Sequence, residues 1–588
     1  MRQFFKMMFA ATFGVFIALM LTVLLVFSVI TAMLMSMSSE SKLPYTPRYD
    51  ESVFKLSLNG FVLEDVMDDP LTSFLGENNT LSLKDVIASI RNAKNQNTIK
   101  GMYLDVGLFF TGSANVEAIR RELVDFQERG KFIVAYADQY TQAGYTLASV
   151  ADEIYLNPQG TLALTGFASS TLFYKGLLEK IGIDMMVFKV GKYKGAVEPF
   201  LGDKLSDENR EQISVYQQEI WNGIVNDISR SRHISASDVN HFADEGLFLT
   251  DPINAIECGL IDDIQYRSDV ENMIKEKAGQ TGASLQTIGV AKMKRAKTPV
   301  REYRNKIAII YAEGEILGVP VSLSSGPIIT EELTKELKKL NDDDNVKAVV
   351  LRINSPGGSA YVSEQIWKQI IDLKKTKPVV VSMGNVAASG GYYISCAASK
   401  IVAEKSTLTG SIGIFGLFPN ATGLFDKLSL TSDVVKTNRF ADIGDPSRLM
   451  TPEEQILIQS SVERGYDTFL SRCAQGRNKS KEEIDEIGQG RIWTGQQARE
   501  LGLVDELGGI DHAVEIAVKL SGVVNYTLVP VSSSKGFFKD LIQKQLEETK
   551  INMLKNGLGN EYEYFKILQQ IKTAYGIQAR LPYDFKPL

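Results

Sequence analysis

Cysteine and histidine are both scarce in this sequence, and each shortage excludes some chemistry. No C-x-x-C pair occurs among the three widely spaced cysteines, Cys258, Cys396 and Cys473. This excludes a disulfide framework and a cysteine zinc site. The three histidines, His233, His241 and His512, lie in segments that do not look like catalytic loops. A Ser-His-Asp triad is therefore a poor expectation for any nucleophilic serine in this chain.

Strong charge of one sign is missing as well. The net charge is -7, and the lysines and arginines are spread along the chain, which gives no electrostatic footprint for a nucleic acid partner. No Walker loop, GxGxxG motif or metal-ligand cluster occurs, so the sequence predicts neither a cofactor nor a metal. With 44% hydrophobic residues in 588, the composition is that of a folded protein with about two to four domains.

Charge is absent from a long apolar run at the N-terminus. No charged residue occurs from Met7 to Met35, and about 20 apolar residues suffice to cross a bilayer. Arg2 and Lys6 precede the run, so the positive-inside rule places the N-terminus in the cytoplasm and everything after residue 40 outside. A cleaved signal peptide would have a shorter apolar core and a small-x-small site. We therefore predict an uncleaved, single-pass anchor over residues 1–45.

The remainder of the chain contains an internal duplication with a constant shift of 247 residues. Three separated blocks share this shift, which is difficult to obtain by chance. The matching pairs are 99–106 with 346–353, 133–154 with a block that ends at Ile401, and 187–199 with 434–446.

Each half alternates buried β-rich runs with helical patterns, which predicts an α/β fold with parallel strands. We expect a first domain over 46–290, a polar linker over 291–305 and a second domain over 306–531. The tail, 532–588, lies outside the duplication. KGFFKDLIQKQLEE within it has the pattern of an amphipathic helix, which we expect to pack on the domain, with contact to the membrane as the alternative.

The two halves differ reciprocally at two reactive positions. Ser389 in the stretch ASGGYYIS corresponds to Gln142, whereas Lys194 in YKGAVEPF corresponds to Ala441. A serine needs a base to take its proton, and lysine can act as one when burial lowers its pKa. The pattern suggests one set of catalytic parts that is divided between the halves.

A turn rich in glycine completes the candidate site. RINSPGGSA, residues 352–360, ends a predicted strand with a glycine pair that its counterpart in the first half lacks. Backbone N–H groups at such a turn can stabilise a negatively charged oxygen without side-chain obstruction. Gly358 and Gly390 are therefore the candidates for an oxyanion hole.

The segments NSPGGS, ASGGYYIS, STLTGSIGIFG, YKGAVEPF and GRIWTGQQARELGLVDELGG resemble those of the long, duplicated form of the bacterial signal peptide peptidase A family, also called protease IV. The resemblance implies two tandem copies of a Clp-protease/crotonase-like domain and a Ser-Lys dyad. Ser389 would be the nucleophile, Lys194 the general base, and Ser411 a residue that orients the lysine. It also implies signal peptides as substrates, a homotetramer, and catalytic domains on the outer side of a bacterial inner membrane.

Two other functions are compatible with parts of the sequence. A crotonase-like acyl-CoA hydratase or hydrolase would share the fold and the oxyanion hole, and a non-catalytic membrane scaffold would share the duplication. The apolar anchor and the division of serine and lysine between the halves argue against both of these functions. The sequence leaves open whether Ser389 and Lys194 of one site come from one chain or from two neighbouring chains.

Overall fold

The computed structural model describes residues 52–64, 80–296, 302–318, 327–531 and 576–580, together with residues 3, 6–8, 12–22, 24, 25 and 28. The described residues before position 30 are helical. Within these ranges no helix is both long enough and apolar enough to span a bilayer, so the predicted anchor is not shown. Much of the apolar run and the helix predicted over 535–548 lie outside the described residues.

Each half is built around its own sheet, and nearly all neighbouring strands are parallel, as the sequence predicts. Among the described strands of these two sheets, only Ile492–Thr494 is antiparallel to its neighbour. In spatial order the first sheet contains Thr80–Ser82, Val53–Leu63, Gly101–Phe110, Phe132–Tyr140, Glu153–Leu162 and Asp263–Ile264, with Thr287–Gly289 paired to Val53–Leu63. The second sheet contains Ile492–Thr494, Leu408–Gly410, Val379–Ala388, Val346–Ser355, Lys306–Glu313 and Thr527–Val531, with Lys400–Ala403 between Val379–Ala388 and Glu506–Leu507.

A third sheet joins the two halves and is called the bridging sheet below. It combines strands of the second half, one strand of the first half and one strand of the C-terminal tail. Its order is Ile328–Ile329, Glu315–Ile316, Gly357–Ser359, Gly576–Arg580, Phe415–Asn420 and Asp184–Lys189.

Helices cover both main sheets. In the first half they are Leu83–Asn95, Ser113–Gln127, Gln142–Ala148, Lys175–Ile181, Glu198–Leu201, Asp207–Arg232, Ala236–Asp244, Ile253–Glu257, Arg267–Lys277 and Val290–Met293, with 3₁₀ turns at Gly195–Val197 and Leu247–Leu249. In the second half they are Glu332–Asp342, Ala360–Lys374, Gly390–Ser395, Thr422–Lys427, Pro452–Arg477, Lys481–Ile487, Gly495–Glu500 and Ile510–Ser521.

The described elements confirm an α/β fold in two tandem copies. The helices Ser113–Gln127 and Ala360–Lys374 differ by the same 247 residues that the sequence blocks share. The long helices Asp207–Arg232 and Pro452–Arg477 both have 26 residues. Each begins at a hydroxyl side chain that accepts a backbone N–H, with acidic residues in its first turn, and such caps stabilise a helix start.

Each half has its own hydrophobic core, and charged side chains join the two. Met293 and Ala296 are buried in the first core, so the beginning of the predicted linker packs with the first half. Between the halves, Arg352 donates to both carboxylate oxygens of Glu64 at 2.9 and 2.8 Å. Both side chains are only 3% exposed, and a bidentate pair of this kind fixes orientation as well as distance.

Candidate active site

Ser389 lies where the strand Val379–Ala388 turns sharply into the helix Gly390–Ser395. Its backbone has φ 54° and ψ -115°, a conformation that residues with a side chain rarely adopt and that costs about 1–3 kcal/mol. Two backbone hydrogen bonds hold it there: Ser389 N donates to the Gly410 carbonyl, and Tyr393 N donates to the Ser389 carbonyl, both at 2.8 Å. Ser389 is completely buried.

Lys194 approaches this serine from the other half of the same chain. Its Nζ lies 2.7 Å from Oγ of Ser389. The same nitrogen lies 3.0 Å from Oγ of Ser411 and 3.3 Å from the Ser411 carbonyl oxygen. The structure therefore brings the three predicted side chains together within hydrogen-bonding distance, and one chain supplies them all.

Burial sets the charge of the lysine. Lys194 is completely buried, and this burial lowers its pKa well below the ordinary value of 10.5. A buried amine without a compensating charge is more stable in the neutral form. Neutral Nζ has one lone pair, which can accept the Ser389 proton, and two N–H groups that can donate to the Ser411 oxygens. The geometry thus provides a base beside a hydroxyl.

Hydrogen bonds attach the lysine segment to the second half. Tyr193 N donates to the Gln489 carbonyl at 2.9 Å. Gln212, on the long helix of the first half, donates its amide to the Tyr193 carbonyl at 3.0 Å and accepts from Ile492 N at 3.1 Å. Because Lys194 follows Tyr193 directly, these contacts fix the lysine backbone relative to the strand pair beside Ser411.

Two glycines leave the room that the lysine needs. A Cβ on Gly490 would lie 2.7 Å from Lys194 N, and one on Gly413 would lie 3.3 Å from Lys194 Cδ. The sequence alone predicts no role for either glycine or for Gln212. A signal for the glycines was present, because Gly413 lies in STLTGSIGIFG and Gly490 begins GRIWTG. The sequence gives no signal for Gln212, because only the fold brings its helix next to Tyr193 and Ile492.

The predicted glycines lie on the other side of Ser389. Gly390 follows Ser389, and Gly358 lies in the strand Gly357–Ser359 of the bridging sheet with φ 149°. Gly357, for which the sequence predicts no role, is closer to the serine turn: a Cβ on it would lie only 2.6 Å from Gly390 N. Its φ of 97° also favours glycine. A Cβ on Gly390 would lie 2.8 Å from Ser363 Oγ and 3.1 Å from the Ala579 carbonyl oxygen, so these glycines fit a crowded turn beside Ser389.

An α/β fold with a buried base beside a strained, buried serine defines the class of hydrolases that use serine as nucleophile. Comparison with protein families makes the assignment specific. The model of peptidase family S49 matches residues 125–281 and 371–524, one segment in each half, and a Clp protease model matches residues 321–407. The chain belongs to peptidase family S49 and is a serine peptidase. The comparisons thus support a peptidase rather than an acyl-CoA hydratase or a scaffold.

Known relatives extend over most of the chain. Protease 4 of Haemophilus influenzae is 35% identical over 552 residues, which cover 90% of this chain and 89% of the relative. Protease 4 of Salmonella typhi is 38% identical and covers 76% of this chain and 73% of the relative. The chloroplastic serine protease SPPA of Arabidopsis thaliana is 32% identical, with coverage of 90% and 78%. The similarity therefore includes both halves.

Proposed function

We propose that this protein is an endopeptidase that hydrolyses remnant signal peptides and other apolar peptides, with Ser389 as the nucleophile and Lys194 as the general base. The observation that carries the proposal is the 2.7 Å distance between Lys194 Nζ and Ser389 Oγ in a fully buried site. The relatives named Protease 4 support the reaction, and a relative in Enterococcus faecium with signal peptide peptidase in its name supports the substrate class.

The reaction proceeds through an acyl-enzyme. Neutral Lys194 accepts the hydroxyl proton while Ser389 Oγ attacks the peptide carbonyl carbon. The lysinium then gives this proton to the leaving amine, and the same lysine later deprotonates the water that releases the acyl group. Ser411 positions the amine, because its two oxygens accept the remaining N–H groups.

Backbone N–H groups stabilise the negative oxygen that forms during each attack. Gly358 and Gly390 are the proposed donors, and the absence of a side chain at Gly357 avoids a clash with Gly390 N, which a Cβ would approach to 2.6 Å. Donors that are fixed before the reaction are worth about 2.7–4 kcal/mol each in such sites. Neither a metal nor a cofactor has a role in this scheme.

The proposed setting is the outer face of a bacterial inner membrane. Residues 1–45 form the anchor, 46–290 and 306–531 the two catalytic domains, and 291–305 the linker. Support comes from the uncharged run and from its described helical residues, whose large apolar side chains are exposed, as at Phe13, Phe16 and Leu19. An anchor at this position keeps the site near apolar peptides that remain in the bilayer. A homotetramer is the proposed assembly.

A labelled signal peptide tests the proposed function. The detergent-solubilised full chain is expected to cleave it, while Ser389→Ala and Lys194→Ala are expected to be inactive and to lose labelling of residue 389 by a fluorophosphonate probe. Cleavage that persists in either variant would exclude the dyad. If the wild-type chain leaves the peptide intact but hydrolyses an acyl-CoA thioester, the proposed endopeptidase function is wrong.

A further inference from the structure

A chain of buried polar side chains connects Glu198 to the backbone that carries Lys194. Glu198 is 8% exposed, Asn209 is fully buried and Gln212 is 1% exposed. Asn209 Nδ2 donates to Glu198 Oε2 at 3.0 Å, and Gln212 Nε2 donates to Asn209 Oδ1 at 2.6 Å. The same Gln212 nitrogen donates to the Tyr193 carbonyl at 3.0 Å. The hydrogen bonds therefore run from a carboxylate to the peptide group that precedes the lysine.

Lys194 occupies the centre of a three-residue turn at the end of these hydrogen bonds. Its backbone has φ -76° and ψ 74°, and Gly195 N donates to the Tyr193 carbonyl at 2.8 Å, which together define an inverse γ-turn. The carbonyl that closes this turn is the one that Gln212 binds. A Cβ on Gly195 would lie 2.2 Å from Asn209 Nδ2, so the asparagine amide packs directly against the turn. Two buried amides thus fix the direction in which the lysine side chain leaves the backbone.

The carboxylate of Glu198 determines which way both amides face. An ionised carboxylate only accepts hydrogen bonds, so the Asn209 NH₂ group faces Glu198 and its oxygen faces Gln212. That oxygen requires the NH₂ group of Gln212, which leaves Gln212 Oε1 to accept from Ile492 N at 3.1 Å. The N–H and the hydroxyl of Ser206 also donate to Glu198, at 3.1 and 2.5 Å, and such bonds offset the cost of burying the carboxylate.

The long helix of the second half has other side chains at these positions. Both long helices begin after a hydroxyl cap, and alignment at the caps places Glu454 opposite Asn209 and Leu457 opposite Gln212. Glu454 forms a capping box with the start of its own helix, and Leu457 is 45% exposed. The chain of amides is therefore a feature of the half that carries Lys194.

We propose that Glu198 and Asn209 are positioning residues for the reaction and act through Gln212 on the turn that directs Lys194 toward Ser389. This inference rests on the proposed function, because it takes Lys194 as the base. The carboxylate orients the two amides, the amides fix the turn, and the turn holds Nζ at 2.7 Å from the serine hydroxyl. A misplacement of about 1 Å between reacting groups can lower a rate about 100-fold, so this placement bears directly on turnover.

A change of hydrogen-bond polarity between Glu198 and Asn209 tests the proposal in the detergent-solubilised full chain. Asn209→Asp sets a second carboxylate against Glu198, and it is expected to lower kcat for a labelled signal peptide about 100-fold with KM unchanged. Glu198→Gln retains an acceptor for the asparagine amide and is expected to have a smaller effect. In the double variant the new amide can donate to the new carboxylate, so Asn209→Asp is expected to cost about 10-fold less than in the wild-type background.

The control and the counting of sites separate positioning from folding. Asn222→Asp makes the same substitution at an exposed position of the same helix and is expected to leave kcat unchanged. Each kcat is expressed per site that a fluorophosphonate probe labels at completion, so unfolded chains do not contribute. A lower melting temperature in Asn209→Asp with an unchanged kcat per site would mean that these side chains only stabilise the fold, and would overturn the proposal.

The double variant gives the second decisive result. If Asn209→Asp lowers kcat equally in the wild-type and Glu198→Gln backgrounds, the two side chains do not act as one chain and the proposal is wrong. Failure of the proposed function would look different, because the wild-type chain would then leave the peptide intact or Lys194→Ala would cleave it.

Discussion

The same structural position is ordinary in the first half and strained in the second. Gln142 and Ser389 both lie where a strand turns into a short helix. Gln142 has no unusual backbone angle, and its side chain accepts from Gly166 N at 2.9 Å and so fastens a loop. Ser389 has a positive φ, and its hydroxyl faces the lysine. At this position the backbone is strained in the second half, where it directs the serine side chain toward the lysine, and not in the first half.

Other equivalent positions repeat this difference. Leu164, which corresponds to Ser411 by the shift of 247, is buried in the first core, whereas Ser411 has φ 48° and contacts Lys194. Ala441, the counterpart of Lys194, is exposed in a stretch without helix or strand. Each half thus has its own sheet and core, whereas the serine and the lysine that meet at the candidate site come from different halves.

The largest expected difference between the halves is at their serine-turn positions. Ser389→Ala is expected to lower kcat/KM for a peptide substrate at least ~1,000-fold, because it removes the proposed nucleophile. Gln142→Ala removes only a loop contact and is expected to leave kcat/KM unchanged. Peptide hydrolysis assays on both variants check this pair, and a large loss in Gln142→Ala would place chemistry in the first half.

A methyl group in the glycine turn is expected to have the next largest effect. Gly357→Ala would place a Cβ in the space that the Ala579 carbonyl oxygen occupies, at a φ of 97°, and is expected to lower kcat/KM about 100-fold. Gly130→Ala is the matched control, because Gly130 has φ 74° but no neighbour within 4 Å. Equal losses in both variants would mean that backbone strain alone is responsible.

Ser411→Ala is expected to have a smaller effect with a diagnostic pH dependence. Loss of the hydroxyl acceptor removes a hydrogen bond to the lysinium, worth about 1.5–3 kcal/mol, so the rate should fall about 10–100-fold. The charged form is destabilised, so the pKa of Lys194 falls further and the acid limb of the kcat/KM profile moves to lower pH. Ser395→Ala, which removes a buried hydroxyl bonded to the Gly391 carbonyl, should not move this limb.

The smallest expected effect is on stability. The pKa of Lys194 is lowered in the folded chain and has its ordinary value of 10.5 in the unfolded chain. At a pH between these two values the unfolded chain binds a proton that the folded chain does not, so the free energy of unfolding rises with pH in this range. Lys194→Met has no amine to deprotonate on folding, so its melting temperature at pH 7 is expected to be higher than that of the wild type. The rise is about 2–4 °C for each kcal/mol gained in the free energy of unfolding, and the difference is expected to shrink as the pH approaches 10.5. Lys192→Met, at an exposed lysine, should show neither effect.

The sequence predicted the α/β fold, the duplication and the parallel sheets because strand and helix periodicities and the 247-residue shift are local patterns. It also selected Ser389 and Lys194, since their reciprocal absence can be read without a structure. It could not predict the roles of Gln212 or Gly357, because their contacts depend on how the halves dock. The tail strand could not be predicted for the same reason. Its five residues, GIQAR, have no pattern that indicates their pairing with Gly357–Ser359.

The central claim is that Ser389 and Lys194 of one chain form one site. Co-expression of Ser389→Ala and Lys194→Met chains with different affinity tags, followed by purification through both tags, tests it directly. Peptidase activity of the recovered mixed complexes is the measurement. If each site is built within one chain, every chain lacks one of its two groups and the complexes will be inactive. Recovery of a substantial fraction of wild-type activity would show that neighbouring chains share their groups and would contradict this account.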